Sequence, residues 1–385
     1  MSYSNKESGF VSLFTVIFFM LLVTVITVSF LRIMITEQRQ SVDNDLSANA
    51  RAAAESGIED GKRALLAYYN PATPADVRAE LATAFGADSN NCDSLTSKTQ
   101  IRTQLNITGQ AVASNDLNQS YTCLNVKLNS PDYVDSSSAN VSKVFPLRGV
   151  SDFNQIKVSW HLLSETVSDE ADGRPNALAP NAPLPLLPPQ TGASSWSSLG
   201  YPAYLRVQLL GYPNSGSFNR SDLDTRSRSV FLAPVSGGSA TVIDLGTADS
   251  GHQFDSSKSS PSPFVQCSST FTSYGSYLCT ATLQLPAGLA SNANNFSLRV
   301  TPIYGKTHFR VQLHNSSTNS SVEMNEVQPL IDSTGKSQDV FRRVQARVRL
   351  NPITSFPEFA AETTDDICKN MRVADAANSA DNNCP

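Results

Sequence analysis

The chain reads as an α+β protein. A long N-terminal helical spine that crosses or enters a membrane leads into a β-rich, mainly antiparallel sheet or sandwich, with cysteines near the C-terminus. Three observations predict this. Phe10 to Leu31 is an apolar run with no charged residue, and a proline-free amphipathic stretch follows it as far as Tyr69. Beyond Pro71, short runs alternate apolar and polar residues at period two between clusters of Gly, Pro, Asn and Ser, the pattern of half-buried strands.

The apolar run is long enough, at about 1.5 Å per residue, to cross a ~30 Å hydrocarbon layer. It is apolar on every face over this length, which fits a membrane span better than a buried core helix. A cleaved secretory signal would carry a shorter apolar region and a small-x-small site, and Val28-Ser29-Phe30-Leu31-Arg32 does not fit one. Lys6 precedes the run while Arg32, Arg39 and Arg51 follow it, so basic residues give no clean orientation.

From Arg32 to Tyr69, Val42, Leu46, Ala50, Ala53, Gly57, Ala64 and Tyr68 recur mostly at steps of three or four, which places them on one helical face. The other side carries Glu37, Arg39, Asp43, Asp45, Glu55, Glu59, Asp60, Lys62 and Arg63. Small residues on the packing stripe let a second helix or a sheet approach closely. If continuous, Phe10 to Tyr69 is a rod of about 90 Å, and Pro71 is its first firm breaker.

Strands are expected at 119–128, 155–163, 203–210, 229–233, 276–285, 296–304, 307–313 and 340–350, with a tight hairpin at Tyr304-Gly305-Lys306. A short helix is expected at 74–86, stopped by Gly86. Residues 168–200 are rich in Pro and Ser and read as a long loop, a place where two sub-regions could divide. Residues 248–263 and 314–322 read as polar loop tips.

Composition excludes several functions. The chain has 385 residues, 16% charged, with a net charge of -5, and too few Lys and Arg for a nucleic-acid footprint. Four His and 21 Pro argue against a His-based metalloenzyme and against a helical bundle. Serine is roughly one residue in seven, a surface chemistry common outside cells. No nucleophile elbow, zinc-protease helix, phosphate loop or dinucleotide fingerprint occurs, so no enzyme activity is expected. His161 reads as a half-buried strand residue, and His252, His308 and His314 as residues in or beside loops.

Six cysteines, an even number downstream of a membrane segment, suit disulfides in an oxidising compartment. Several connectivities are open. Sequence neighbours pair most simply, as Cys92 with Cys123, Cys267 with Cys279 and Cys368 with Cys384, each closing a loop worth about 2–4 kcal/mol. No CxxC spacing favours zinc. The acidic pairs Asp222 and Asp224, Asp132 and Asp135, and Asp365 and Asp366 offer hard oxygen ligands for calcium, but none follows the helix-loop-helix calcium pattern. They read more simply as solvated turn carboxylates, so no cofactor is expected.

Ser8-Gly9-Phe10, behind the short polar segment MSYSNKESG and opening straight into the apolar run, resembles the prepilin start of type IV pilins and type II secretion pseudopilins. The segment RAAAESGIEDGKRALLAYY (Arg51 to Tyr69) is similar to the downstream helix of PilX-type minor pilins. The resemblance implies cleavage by a membrane peptidase after Gly9 and methylation of Phe10. It also implies a layout with a leader at 1–9, a spine at 10–70 (10–31 transmembrane) and an extracellular β-rich region at 71–385. Major pilins carry a Glu at the fifth position of the trimmed chain. Here that position is Phe14, and no acid occurs between Phe10 and Glu37. In this the chain resembles K-type pseudopilins and PilX-like minor pilins, which sit at or near filament tips, and the former are known for calcium sites. The pair Cys368 and Cys384 resembles the disulfide-bounded C-terminal region of many pilins.

The resemblance places the protein in the inner membrane as a single-pass subunit with its globular region outside, and at the cell surface after assembly. Its implied partners are sibling pilin or pseudopilin subunits, the prepilin peptidase, the assembly machinery and a surface or host ligand, with no nucleic acid. Three readings stand: a filament assembly subunit, an adhesive module on the same scaffold, and a signal-anchored exodomain outside any filament.

Overall fold

The apolar run and the amphipathic stretch form one uninterrupted helix, α1 (Ser8–Tyr69). The computed structural model describes residues 8–86, 92, 94–107, 119–162, 202–212, 226–236, 241–245, 264–267, 276–286 and 295–349. The chain divides into two compact units, the first comprising residues 1–133, 148–151 and 321–350, the second residues 134–147, 152–320 and 351–385.

In the first unit, α1 stops where Asn70 and Pro71 make continuation impossible. The Asn70 amide closes the last turn on the Leu66 carbonyl at 3.0 Å, and the Asn70 side chain accepts the Ala72 amide at 3.0 Å. After Pro74 comes α2 (Ala75–Gly86), as its pattern predicts. A further helix, α3 (Thr99–Leu105), has no strong signal in its sequence. Its start is capped from outside: the Glu80 carboxylate of α2 accepts the Gln100 and Ile101 amides at 2.9 and 3.2 Å. Asn106 then ends it in the left-handed region at φ 54°.

The sheet of this unit has the order β1-β13-β14, antiparallel throughout, with β1 spanning Gln119–Lys127, β13 Leu330–Ser337 and β14 Val340–Arg347. The central strand, β13 (LIDSTGKS), was not expected as a strand, because its turn-forming residues mask the alternation. Its burial nonetheless alternates strictly, with Ile331, Ser333, Gly335 and Ser337 buried. Leu65 of α1, Leu81 of α2, Leu95, Ile101, Ile107 and Leu124 are fully buried in the core beside it.

The second unit is built from β2 (Tyr133–Ser137), β3 (Lys143–Leu147), β4 (Gln155–Leu162), β5 (Tyr204–Tyr212), β6 (Arg228–Ser236), β7 (Thr241–Asp244), β8 (Phe264–Cys267), β9 (Tyr277–Gln284), β10 (Asn295–Ile303) and β11 (Thr307–Asn315); β12 (Ser320–Val322) follows in the chain. The strand path is β11-β4-β9-β8-β6-β5-β10-β3, with β2 beside β11 and β7 beside β9. Most pairs are antiparallel, but β6 with β8 and β7 with β9 run parallel. Trp160 and Phe309 are fully buried in its core, where the Trp160 indole donates to the Ala203 carbonyl at 2.9 Å and Phe145 stacks on Phe309 at 6.5 Å.

Several expectations need correction. Tyr304-Gly305-Lys306 is not a hairpin: β10 pairs with β5 and β3, and β11 with β4. Tyr304, at φ 70°, turns the chain between strands that join different parts of the sheet. The polar tip expected at 314–322 is shorter, because β11 runs to Asn315 and β12 begins at Ser320. Asn315 folds that turn by accepting the Ser317 and Thr318 amides at 2.9 and 3.4 Å. His308 and His314 lie in β11, each one residue inside an end of the strand and so beside a loop, as expected. The short strands β2, β3, β7 and β8 have too few residues for alternation to stand out. The loops 168–200 and 248–263, and with them His252, lie outside the described residues, as do Asp222, Asp224, Asp365, Asp366, Cys368 and Cys384.

Candidate functional site

One helix carries two chemistries. From Leu13 to Asp45 every residue of α1 is exposed, and the first buried one is Ala50. Phe14 and Met20 are 67% exposed and Phe30 72%, values no folded core tolerates over this length. Hydroxyls within its apolar part are bonded to the helix's own backbone. Thr24, Thr27 and Ser29 donate to the carbonyls of Leu21, Val23 and Val25 at 2.8–2.9 Å. Hydroxyls satisfied within the helix leave a surface compatible with hydrocarbon. The helix is long and apolar enough to cross a membrane. Gly9 and Phe10 lie in its first turn.

The second half of α1 is seated on the three-stranded sheet, and small residues set the distance. A Cβ on Gly335 would overlap the Ala50 carbonyl oxygen and the Ala54 amide nitrogen. A Cβ on Gly57 would overlap the Ser333 hydroxyl, and one on Gly61 would lie 2.6 Å from Ile331 Cγ2. The stripe of small residues read from the sequence is thus matched by Ile331, Ser333 and Gly335 on the strand beneath. Polar ties fix the seat: Arg342 donates to Ser47 Oγ at 2.8 Å, Gln119 to the Asn49 carbonyl at 2.7 Å, and the Tyr121 hydroxyl to Asp60 at 2.7 Å. Asp60 also pairs with Arg63 at 3.2 Å, and Arg63 reaches the Leu105 carbonyl at 3.1 Å. At the helix end, burial and the Glu326 carboxylate push the Tyr69 phenol far above its ordinary range.

Among the described residues two disulfides are present, Cys92–Cys123 and Cys267–Cys279. Cys123 anchors the loop before α3 to β1, and Cys267 faces Cys279 across β8 and β9. Of the acidic residues considered for calcium, Asp132 pairs with Arg347 at 2.7 Å, and Asp135 accepts the Ser136 amide at 2.8 Å. Among the described residues no cluster of His, Cys, Asp and Glu gathers as a metal centre. His161 holds φ 65°, its amide donates to the Thr307 hydroxyl at 3.1 Å, and burial lowers its imidazole to about 4.

No protein-family model, curated protein or solved structure matches this chain. Function must be argued from the geometry. What the arrangement provides is mechanical: a rod that is bare and apolar at one end and wedged into a folded unit at the other. Sequence reasoning found the rod and its stripe of small residues. It missed β13, whose small and polar side chains are what allow the seat.

Proposed function

We propose that the protein is a minor pilin or pseudopilin-like subunit, trimmed after Gly9, whose spine first resides in the inner membrane and then packs among sibling spines in a filament. The observation that carries this reading is the continuity of α1: the exposed apolar half and the seated half belong to one helix without a break. A simple anchor needs only the first half. A rigid extension into the folded unit makes any movement of the spine a movement of the unit it is seated in.

The energetics fit transfer between two apolar surroundings. At ~25 cal/mol per Å², reburial among other spines roughly replaces what the bilayer supplied. Extraction therefore needs work from an assembly motor. With Phe14 at the fifth position of the trimmed chain and no acid between Phe10 and Glu37, the spine brings no buried carboxylate to meet a neighbour's terminal amine. That favours a place at or near the filament tip, where the subunit would help initiate assembly and present its β-rich unit as an adhesive surface.

Mass spectrometry of protein recovered from membranes and from sheared surface fibres tests the reading. The expected product begins at methylated Phe10 and is found in fibres. An intact Met1 together with absence from fibres would favour the anchored exodomain instead.

A further inference from the structure

The second unit holds two arginines that have no counter-charge among the described residues. Arg206 on β5 lies opposite Thr301 of β10, and Arg299 of β10 lies opposite Gln208 of β5. Residues 206, 208, 299 and 301 alternate with the buried Val207, Leu298 and Val300, so they share the face turned away from the core. On this register the two arginines are diagonal neighbours, with Cα atoms about 7–8 Å apart.

Their surroundings are polar and partly dry. Arg299 donates to Ser142 Oγ at 2.9 Å, and the Ser142 and Thr301 hydroxyls share a 2.8 Å bond. Arg206 spreads over the Phe231 ring, 5.8 Å from its centroid. Arg206 Nε and Gln208 Oε1 are both buried from solvent and have no hydrogen-bond partner. Among the described residues no carboxylate pairs with either arginine. Burial, and then the charge of Arg299, lower the pKa of Arg206 below the usual guanidinium range. Two like charges side by side, one of them with an idle buried donor, are unfavourable unless something neutralises them. Guanidinium forks match oxyanions in both charge and shape.

We infer that Arg206 and Arg299, with the Ser142 and Thr301 hydroxyls, form a receptor for a single oxyanionic group, a carboxylate or a sulfate, on a small ligand. The assignment does not depend on whether the chain enters a filament.

The test uses the full-length protein in detergent, titrated at constant ionic strength with sodium glucuronate, sodium sulfate or sodium chloride, and followed by calorimetry and thermal unfolding. Glucuronate or sulfate, but not chloride, should bind and raise the unfolding temperature. The glucuronate and sulfate arms show whether a planar or a tetrahedral group is preferred. Arg206→Gln and Arg299→Gln should each weaken binding at least tenfold, while Lys157→Gln, which removes one exposed charge elsewhere on the unit, should not. Without ligand, Arg206→Gln should be at least as stable as the parent, because it removes the uncompensated charge. Should either Gln variant fail to fold, Arg206→Lys decides: it keeps the charge, loses the fork and should still lose most of the affinity. Equal binding by every variant, or no binding beyond chloride, would overturn the assignment.

Discussion

The two halves of α1 are built from the same secondary structure and face opposite demands. The first half presents large side chains to its surroundings, and from Leu13 to Asp45 none is buried against the described residues. The second presents Ala and Gly to a strand of Gly, Ser and Ile and is buried. Large apolar residues maximise contact with a fluid surrounding, where no fixed shape must be matched. Small residues minimise distance to a fixed surface, where shape is everything. Side-chain size along one helix therefore reports whether its intended surroundings are fluid or solid.

Substitutions should separate the halves sharply. The largest effect is expected at Leu65, which is fully buried: Leu65→Ala should cost about 2–5 kcal/mol in denaturant unfolding of the detergent-solubilised protein. Leu21→Ala, on the bare half, should leave the midpoint within about 0.5 kcal/mol of the parent. Similar losses at both positions would remove the distinction.

Next in size is Gly335→Ala, which adds one carbon where the helix backbone already stands and should cost about 1–3 kcal/mol. Gly86→Ala, whose new carbon would meet nothing within 4 Å, is the matched control and should be neutral or slightly stabilising. An equal response would mean that the seat is looser than its contacts imply.

The smallest effect is a pH dependence on the face of β13 turned away from α1. Asp332 of β13 feels burial, which raises its pKa, but hydrogen bonds from Arg343 and Gln345 outweigh burial and hold the carboxyl below its usual range. A depressed carboxyl contributes stability that is complete above its unfolded value of about 4 and disappears as pH falls through the folded value. The stability gap between the parent and Asp332→Asn should thus be constant near neutrality and close below about pH 4. A gap that does not shrink at all as pH falls below about 4 would place the contribution elsewhere.

Much of this was legible in the residues. The extent of α1 followed from an unbroken apolar run and the absence of proline, and α2 from its period and Gly86. Eight strands announced themselves by alternation. β13 did not, because alternation of Ile, Ser, Gly and Ser on the seated face carries almost no hydropathy contrast. α3 did not, because part of its support, the Glu80 carboxylate, comes from another helix. Tyr304-Gly305-Lys306 has the local chemistry of a hairpin, but pairing is decided by which apolar faces meet, and β10 and β11 find other partners. The arginine pair on β5 and β10 was invisible for a similar reason: only register brings positions 206 and 299 together.

The interlock of Ser47 with Arg342 joins positions separated by 295 residues. Ribosomes add roughly 5–20 residues per second, so the spine waits roughly 15–60 s after its synthesis before the strand that clasps it exists. Throughout that interval its alanine and glycine flank is an open groove, available to chaperones or to a wrong helix. Completion of the seat is therefore governed by β13 and β14, the last strands of the first unit to be made, and a chain ending before β13 would carry its spine with the small-residue flank uncovered.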